Sequence, residues 1–208
     1  MTARPSSTQS FSLSALIRRL IPIGLLLVTT ACGGNRLTRQ DLHQAYQQAL
    51  ASTETRARAD WKANPDALDA AVGRLRHYFE EVTRASVEGM TRQVYAEDAY
   101  MCDTLHIAQG AGEIEAYFLK TADRVDSMTV TIIDYSTSGR EVFTRWTMTI
   151  DAPELSGGQP VTTYGISHFR FDGDGKVILH QDFWDASAGF YEHLPVLGWI
   201  IPRIRGSL

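Results

Sequence analysis

The chain has 208 residues, of which 44% are hydrophobic and 21% are charged, and its formal net charge is -4. This is the composition of an ordinary globular protein, and the length suits one domain with additions. No basic stripe or Lys/Arg cluster follows residues 1–31. A nucleic-acid partner is therefore not expected.

The first 31 residues have the features of an export signal. Two arginines precede an apolar run over residues 20–28, which is too short to span a bilayer. The letters "TTACGG" that follow resemble the lipobox of bacterial lipoproteins, in which the cysteine, here Cys32, is lipidated and becomes the first mature residue. The resemblance implies a lipid-anchored protein of the bacterial cell envelope. Gly33 after the cysteine implies the periplasmic side of the outer membrane in a Gram-negative cell, and a soluble secreted protein is the alternative.

The sequence offers little to hold a metal ion. If Cys32 carries lipid, Cys102 has no intrachain partner, and no disulfide framework or thiolate site is expected. The segment "DGDG" (172–175) lacks the terminal glutamate of an EF-hand loop and predicts a hairpin turn instead. We therefore expect neither a metal nor a cofactor.

Helical patterns fill the chain up to about residue 125. Thr38 and Asp41 predict a capping box, which opens a helix that runs through about Lys62. Asn64 as N-cap with Pro65 at the first helical position predicts the start of the next helix. Two shorter helices are expected over residues 87–95 and 110–125, with a short strand over 99–103 between them.

From Ser127 onward the apolar period changes from helical to two. Four strands are predicted, over residues 127–136, 141–151, 161–171 and 176–185. Helices followed by an antiparallel meander predict an α+β domain with one curved sheet covered by helices on one face. The expected division is a signal peptide over 1–31, a tether and polar helix over 32–63, a domain over 64–186 and an apolar tail over 187–208.

The apolar tail needs a cover. Its apolar residues recur every three or four positions, and Pro195 and Pro202 are expected to break it into short helices. We favour packing of the tail on the domain, where it would close the wide end of the domain over a ligand. A dimer partner and the membrane surface are the alternatives.

Three stretches resemble a known superfamily, the nuclear-transport-factor-two-like proteins with SnoaL-like domains. The superfamily includes ketosteroid isomerase, SnoaL-type polyketide cyclases and limonene-epoxide hydrolase. The stretches are "VEGMTRQVYAEDAYMCD" (87–103), "GEIEAYF" (112–118) and "ISHFRFDGDGKV" (166–177). The resemblance implies a cone-shaped curved antiparallel sheet covered by three helices. It implies no single reaction, because this scaffold hosts many unrelated activities and also non-enzymes.

The resemblance to the isomerase assigns three roles. Asp103 falls where the isomerase keeps its general base, Tyr78 falls near its oxyanion tyrosine, and Ser167 replaces its protonated aspartate. That enzyme uses an aspartate base beside an oxyanion hole of a tyrosine and a neutral carboxylic acid. Ser167 lacks the strong donor of a carboxylic acid but can still donate one hydrogen bond.

The last predicted strand carries polar residues at every second position. His180, Asp182 and Trp184 share one face of this strand, because side chains alternate. With Asp103 from the first strand, they would give a cavity two carboxylates and an imidazole, the groups of acid/base catalysis. The alternative is a buried hydrogen-bonded pair of His180 and Asp182 that ties the strand to a helix.

Three functions remain open. The first is an isomerase, cyclase or hydrolase without cofactor, with Asp103 as base, His180 and Asp182 as acid/base partners and Tyr78 as donor. The substrate contacts expected for it are Ser167, Trp184, Trp146 and Phe169. The second is a non-catalytic protein that binds a small apolar molecule with a polar group. The third is an assembly module that forms a homodimer through the convex sheet face, where Phe183 would lie.

Overall fold

The structure is a computed structural model that describes residues 38–152 and 159–207. The predicted export signal, the lipobox and Cys32 lie outside the described residues. The described residues from Arg39 onward form one compact unit. None of the helices in the described ranges is long and apolar enough to cross a membrane.

The helices expected from the sequence are present, with one difference in length. They are α1 (Arg39–Thr53), α2 (Pro65–Glu80), α3 (Arg84–Val94) and α4 (Ala111–Ala122). The start of α2 at Pro65 confirms the prediction, since proline presets the helical φ. Thr83 and Ser86 form a capping box at the start of α3, which the sequence analysis did not predict. Helix α1 ends at Thr53 instead of continuing to Lys62, and the segment that follows turns and buries Ala57 and Trp61 in the main core.

The strands form one six-stranded sheet in the order β2-β1-β6-β5-β4-β3. Their bounds are β1 (Tyr95–Cys102), β2 (Ile107–Gln109), β3 (Ser127–Ser138), β4 (Glu141–Asp151), β5 (Val161–Phe171) and β6 (Val177–Trp184). The antiparallel meander β3 to β6 confirms the predicted strands and the α+β class. The parallel pairing of β1 with β6 was not predicted. It brings the end of β1 and the residue after it, Asp103, beside the last strand.

The inner face of the sheet is organised in rows of residues that lie opposite one another on β4, β5 and β6. Because strands alternate their side chains, every second residue of each strand joins a row. Three successive rows are Val142–Phe169–His180, Thr144–Ser167–Asp182 and Trp146–Gly165–Trp184. The polar row therefore lies between rows that carry large aromatic side chains.

Helices α2, α3 and α4 cover this inner face and form the main core. The apolar stripe of α2 is buried, and its members are Leu68, Val72, Leu75 and Phe79. The turn "DGDG" connects β5 to β6 with Gly175 at φ +74°, a left-handed conformation that glycine adopts without strain. The prediction of a hairpin turn is confirmed.

Helix α1 packs on the opposite, outer face of the sheet. Its Ala49 is buried against Tyr100, Cys102 and Leu179. Residues 39–53 thus pack on the sheet, whereas the expected division placed them in a tether and polar helix before residue 64. The difference arises because the few apolar residues of α1 meet an apolar strip of β1 and β6.

A buried polar network also attaches α1 to the outer face. Arg170 donates two hydrogen bonds to the Glu141 carboxylate, at 2.8 and 2.6 Å, and one to the Thr53 hydroxyl at 3.0 Å. The His168 ring lies between Tyr46 and Glu141, with ring nitrogen to oxygen distances of 2.7 and 2.5 Å. Burial alone would raise the pKa of Glu141, but the hydrogen bonds from Arg170 and His168 lower it.

The tail contains α5 (Ala186–Gly189), a short 3-10 turn (Tyr191–His193) and α6 (Leu197–Arg205). Pro202 lies inside α6, so the expectation that it breaks the tail is wrong. Only the first part of the tail packs closely on the sheet, with Gly189 buried. Val196, Trp199 and Ile204 are exposed, which leaves an apolar surface on α6.

The close approach of Trp146 to β5 predicts a strict requirement for glycine at position 165. A Cβ on Gly165 would overlap the Trp146 ring, whereas a Cβ on Gly89 in α3 meets no atom within 4 Å. We expect Gly165→Ala to lower the free energy of unfolding by about 1–3 kcal/mol, because an overpacked core must rearrange. The matched change Gly89→Ala should raise it by about 0.4–1 kcal/mol. Chemical denaturation of both variants tests this, and equal effects would contradict it.

Candidate functional site

A cavity of about 790 Å³ lies between the inner face of the sheet and helices α2 and α4. Its wall is mostly apolar and aromatic, with Phe79 from α2 and Phe118 from α4 facing the strands. Seven of the side chains predicted to form a site line it, namely Asp103, Trp146, Ser167, Phe169, His180, Asp182 and Trp184. The structure thus brings together nearly all residues that the sequence pattern singled out.

Tyr78 is the exception. It is fully buried but does not line the cavity; its hydroxyl lies 2.8 Å from the Thr91 hydroxyl. Burial raises the pKa of Tyr78, which keeps it protonated. The next residue, Phe79, lines the cavity instead, because successive residues of a helix point about 100° apart. The predicted oxyanion role of Tyr78 is therefore corrected.

A continuous chain of hydrogen bonds crosses the floor of the cavity. The Trp146 indole N–H donates to Ser167 Oγ at 2.8 Å, and the Ser167 hydroxyl donates to Asp182 Oδ1 at 2.5 Å. His180 Nε2 lies 2.7 Å from the same Asp182 oxygen. His180 Nδ1 lies 2.8 Å from the Tyr95 hydroxyl. The chain joins β1, β4, β5 and β6.

The direction of this chain follows from Tyr95. Burial raises the pKa of Tyr95 well above its ordinary value, so the hydroxyl keeps its proton. With the proton on the Tyr95 hydroxyl, His180 accepts it at Nδ1 and donates from Nε2 to Asp182 Oδ1. Asp182 Oδ2 receives no hydrogen bond from any residue that the structure describes. This oxygen is the free acceptor of the site.

Asp103 is held differently. One of its carboxylate oxygens accepts the backbone N–H groups of Leu105 and His106, at 2.9 and 2.7 Å, and the other accepts the Tyr117 hydroxyl. The Trp184 indole donates to the backbone carbonyl of Asp103 at 2.7 Å, which fixes the end of β1 to the last strand. Asp103 therefore has three donors, whereas Asp182 keeps one oxygen free.

The two carboxylates influence each other. Burial raises the pKa of Asp103, the hydrogen bond from Tyr117 opposes this, and the negative charge of Asp182 raises it further. The net shift of the Asp103 pKa is upward. Asp103 can therefore hold a proton at a pH where an exposed aspartate has lost it.

Three residues of this site were not predicted as functional. Tyr117 was expected to face inward as core, Tyr95 was not distinguished from the surrounding segment, and Thr144 was part of a strand pattern. Thr144 lines the cavity, and its hydroxyl is buried without a hydrogen-bond partner in the described part of the chain. The inward position of Tyr117 in "GEIEAYF" was a sequence signal that could have identified it.

The described residues contain no group of three or more His, Cys, Asp or Glu side chains that could hold a metal ion. His106 is exposed and its ring stacks on Tyr117, with ring centroids 4.7 Å apart.

A family model described as the SnoaL-like domain matches residues 75–180, about half of the chain. The protein belongs to this family. The match spans the segment from the core of α2 to His180 on β6. A search of curated proteins gave no match.

Solved structures share the fold at low sequence identity. A protein with a ketosteroid isomerase-like fold from Catenulispora acidiphila, in complex with trimethylamine, is 15% identical, covers 57% of this chain and 88% of its own, and has a TM-score of 0.50. An epoxide hydrolase of M. tuberculosis, similar to limonene-epoxide hydrolase, is 16% identical over 66% and 97%, with a TM-score of 0.49. A protein from Jannaschia sp. CCS1, described as a putative SnoaL-like polyketide cyclase, is 17% identical. The match covers 57% of this chain and 90% of that protein, with a TM-score of 0.47. The fold is therefore that of the nuclear-transport-factor-two-like proteins.

The raised pKa of Asp103 predicts a pH dependence of stability. A carboxyl group with a raised pKa in the folded state stabilises the fold below its ordinary value of 3.8 and loses this contribution as the pH rises through the folded pKa. The difference in unfolding free energy between the wild type and Asp103→Asn should therefore fall from acid toward neutral pH.

Asp134→Asn is the matched control, because the hydrogen bond from Arg145 lowers the Asp134 pKa and reverses the sign. The wild-type advantage over this variant should rise with pH. Denaturation curves between acid and neutral pH measure both slopes, and equal slopes would contradict the assignment.

Proposed function

We propose that the cavity binds a small, mostly apolar molecule with a polar group, and that Asp182 and Asp103 transfer protons on it. The observation that supports this is the placement of two carboxylates and an imidazole on one wall of an otherwise apolar cavity. Low polarity strengthens electrostatic effects in the cavity, and burial raises the pKa of Asp103 toward the range of acid/base use. Isomerisation, cyclisation and hydrolysis are the reaction types that this chemistry serves.

The hydrogen bonds favour Asp182 over Asp103 as the base. Asp182 Oδ2 is free to accept a proton from the ligand or from a water molecule, while its Oδ1 is oriented by Ser167 and His180. Asp103, with a raised pKa, can return a proton to the product. Tyr95 acts behind His180 as a positioning residue.

Cavity binding can be tested with a pair of tryptophan substitutions on neighbouring residues of β4. Met148 lines the cavity, whereas Thr147 belongs to the outer face. A neutral apolar fluorophore, N-phenylnaphthylamine, should bind the wild type and Thr147→Trp alike. Met148→Trp fills the cavity and should weaken binding about tenfold or more. Equal binding by both variants, with both folded by circular dichroism, would place the fluorophore elsewhere.

Catalysis requires the natural ligand, which native mass spectrometry of the protein purified from its own envelope can capture. If that ligand is a substrate, Asp182→Asn should lower kcat, measured at saturating ligand, by about 10²–10⁴, the usual contribution of one general base. Asp134→Asn, on the outer face, should keep kcat. Unchanged turnover by Asp182→Asn would exclude Asp182 as the base, and binding without any turnover would favour a carrier protein.

The proposed location is the bacterial cell envelope, with the chain anchored through a lipid on Cys32. The support is the sequence alone, in which small residues and a cysteine follow a short apolar run. In a Gram-negative host, the full chain should fractionate with membranes and incorporate labelled fatty acid. Cys32→Ser should lose the label and leave the membrane fraction, whereas Cys102→Ser should not. A wild-type chain without the label would contradict this proposal.

A homodimer is a second candidate, because part of the outer sheet face is apolar and exposed. Tyr164, Ile166 and Phe183 are 66%, 48% and 50% exposed. They lie on the outer face beside α1, whose Tyr46 ring contacts the Phe183 ring, and they form an apolar strip that a partner could cover. Analytical ultracentrifugation of the wild type and Ile166→Asp tests the dimer.

A further inference from the structure

We infer that the cavity selects an organic cation, a protonated amine carried on an apolar body. This inference rests on the proposed function, because it names the class of ligand for the same cavity. It follows from an imbalance of charge, from the kind of wall around that charge, and from acceptors that the protein leaves unused.

The inner wall carries more negative than positive charge. Neither Asp103 nor Asp182 has a lysine or arginine partner among the described residues, and the hydrogen-bond partners of Asp182 are Ser167 and His180. Both carboxyl groups therefore line the cavity without a permanently charged counterion. Among the lysine and arginine side chains of the described residues, Arg124 lines the cavity, and it is exposed at the rim. A buried negative charge without a counterion is costly, and a cationic ligand would offset that cost.

The wall around these carboxylates is aromatic. Phe79, Phe118, Trp146, Phe169 and Trp184 all line the cavity. Aromatic ring faces carry negative electrostatic potential and attract ammonium groups, most strongly where water is excluded. An aromatic wall combined with carboxylates favours a cation with an apolar body, whereas either feature alone would favour a wider range of ligands.

Two acceptors remain unused in the polar row. Asp182 Oδ2 accepts no hydrogen bond from the described residues. Thr144 is 1% exposed, and its hydroxyl has no hydrogen-bond partner in the described part of the chain. Both belong to the row Thr144–Ser167–Asp182. A protonated amine has two or three N–H donors and no acceptor, so it complements these atoms directly. A carboxylate ligand would meet repulsion at the same place.

The alternative occupant of an acidic site, a metal ion, is less suited. It needs several ligand groups at short distance, and the described residues contain no such group of three. The upward shift of the Asp103 pKa also reflects repulsion from Asp182 that a cation between them would relieve. An organic ammonium group can relieve it without a full coordination shell.

Three ligands of nearly the same shape test the inference, namely phenylpropylamine, phenylpropanol and phenylpropanoate. Each competes with N-phenylnaphthylamine for the full-length protein at neutral pH, and isothermal calorimetry confirms the affinities. We expect the amine to bind about tenfold tighter than the alcohol, and the alcohol to bind tighter than the acid. Asp182→Asn should abolish the preference for the amine while leaving the alcohol within about twofold.

The matched control is Asp123→Asn, which removes the same charge from an exposed rim carboxylate that pairs with Arg84. It should keep the preference for the amine. A wild type that binds the fluorophore and the alcohol but does not prefer the amine would overturn the inference and leave the proposed function intact. A preference that survives Asp182→Asn and Asp103→Asn alike would also overturn it. A wild type that binds none of these compounds would overturn the proposed function as well.

Discussion

The site depends on one constraint, the register of β4, β5 and β6, which aligns polar residues from three strands between aromatic rows. This register lets Trp146, Ser167, Asp182, His180 and Tyr95 share a single chain of hydrogen bonds. Polar groups buried in a low-dielectric interior need such partners, and a chain of them also fixes their orientation. If one of these strands shifted its pairing by one residue, its members of the chain would turn to the outer face.

Much of the fold and part of the site could be predicted from the sequence. The strands have simple alternation, so His180, Asp182 and Trp184 could be assigned to one face before the structure was known. The Asn-Pro start of α2 and the glycine turn between β5 and β6 are local signals of the same kind. Family resemblance added the position of Asp103, which alternation alone would not have given.

The rest depends on contacts between distant parts of the chain. Tyr95 reaches His180 because β1 pairs in parallel with β6, and nothing in the sequence near Tyr95 encodes that pairing. The prediction for Tyr78 was wrong because the alignment with the isomerase was uncertain by one residue. On a helix, a shift of one residue turns the side chain by about 100°. Helix α1 was assigned to a tether and polar helix outside the domain because its partner, Arg170, lies more than a hundred residues away in the sequence.

The contact between α1 and the outer face of the sheet determines how α1 can detach locally. The contact combines a small apolar patch around Ala49 with the buried pair of Arg170 and Glu141. Protonation of Glu141 in acid would leave the buried Arg170 guanidinium with the exposed Glu54 carboxylate as its remaining anion in the described part of the chain, so acid weakens this contact before it affects the apolar core. Amide hydrogen exchange should therefore show α1 as a separate unit of local opening, released from a sheet that remains folded.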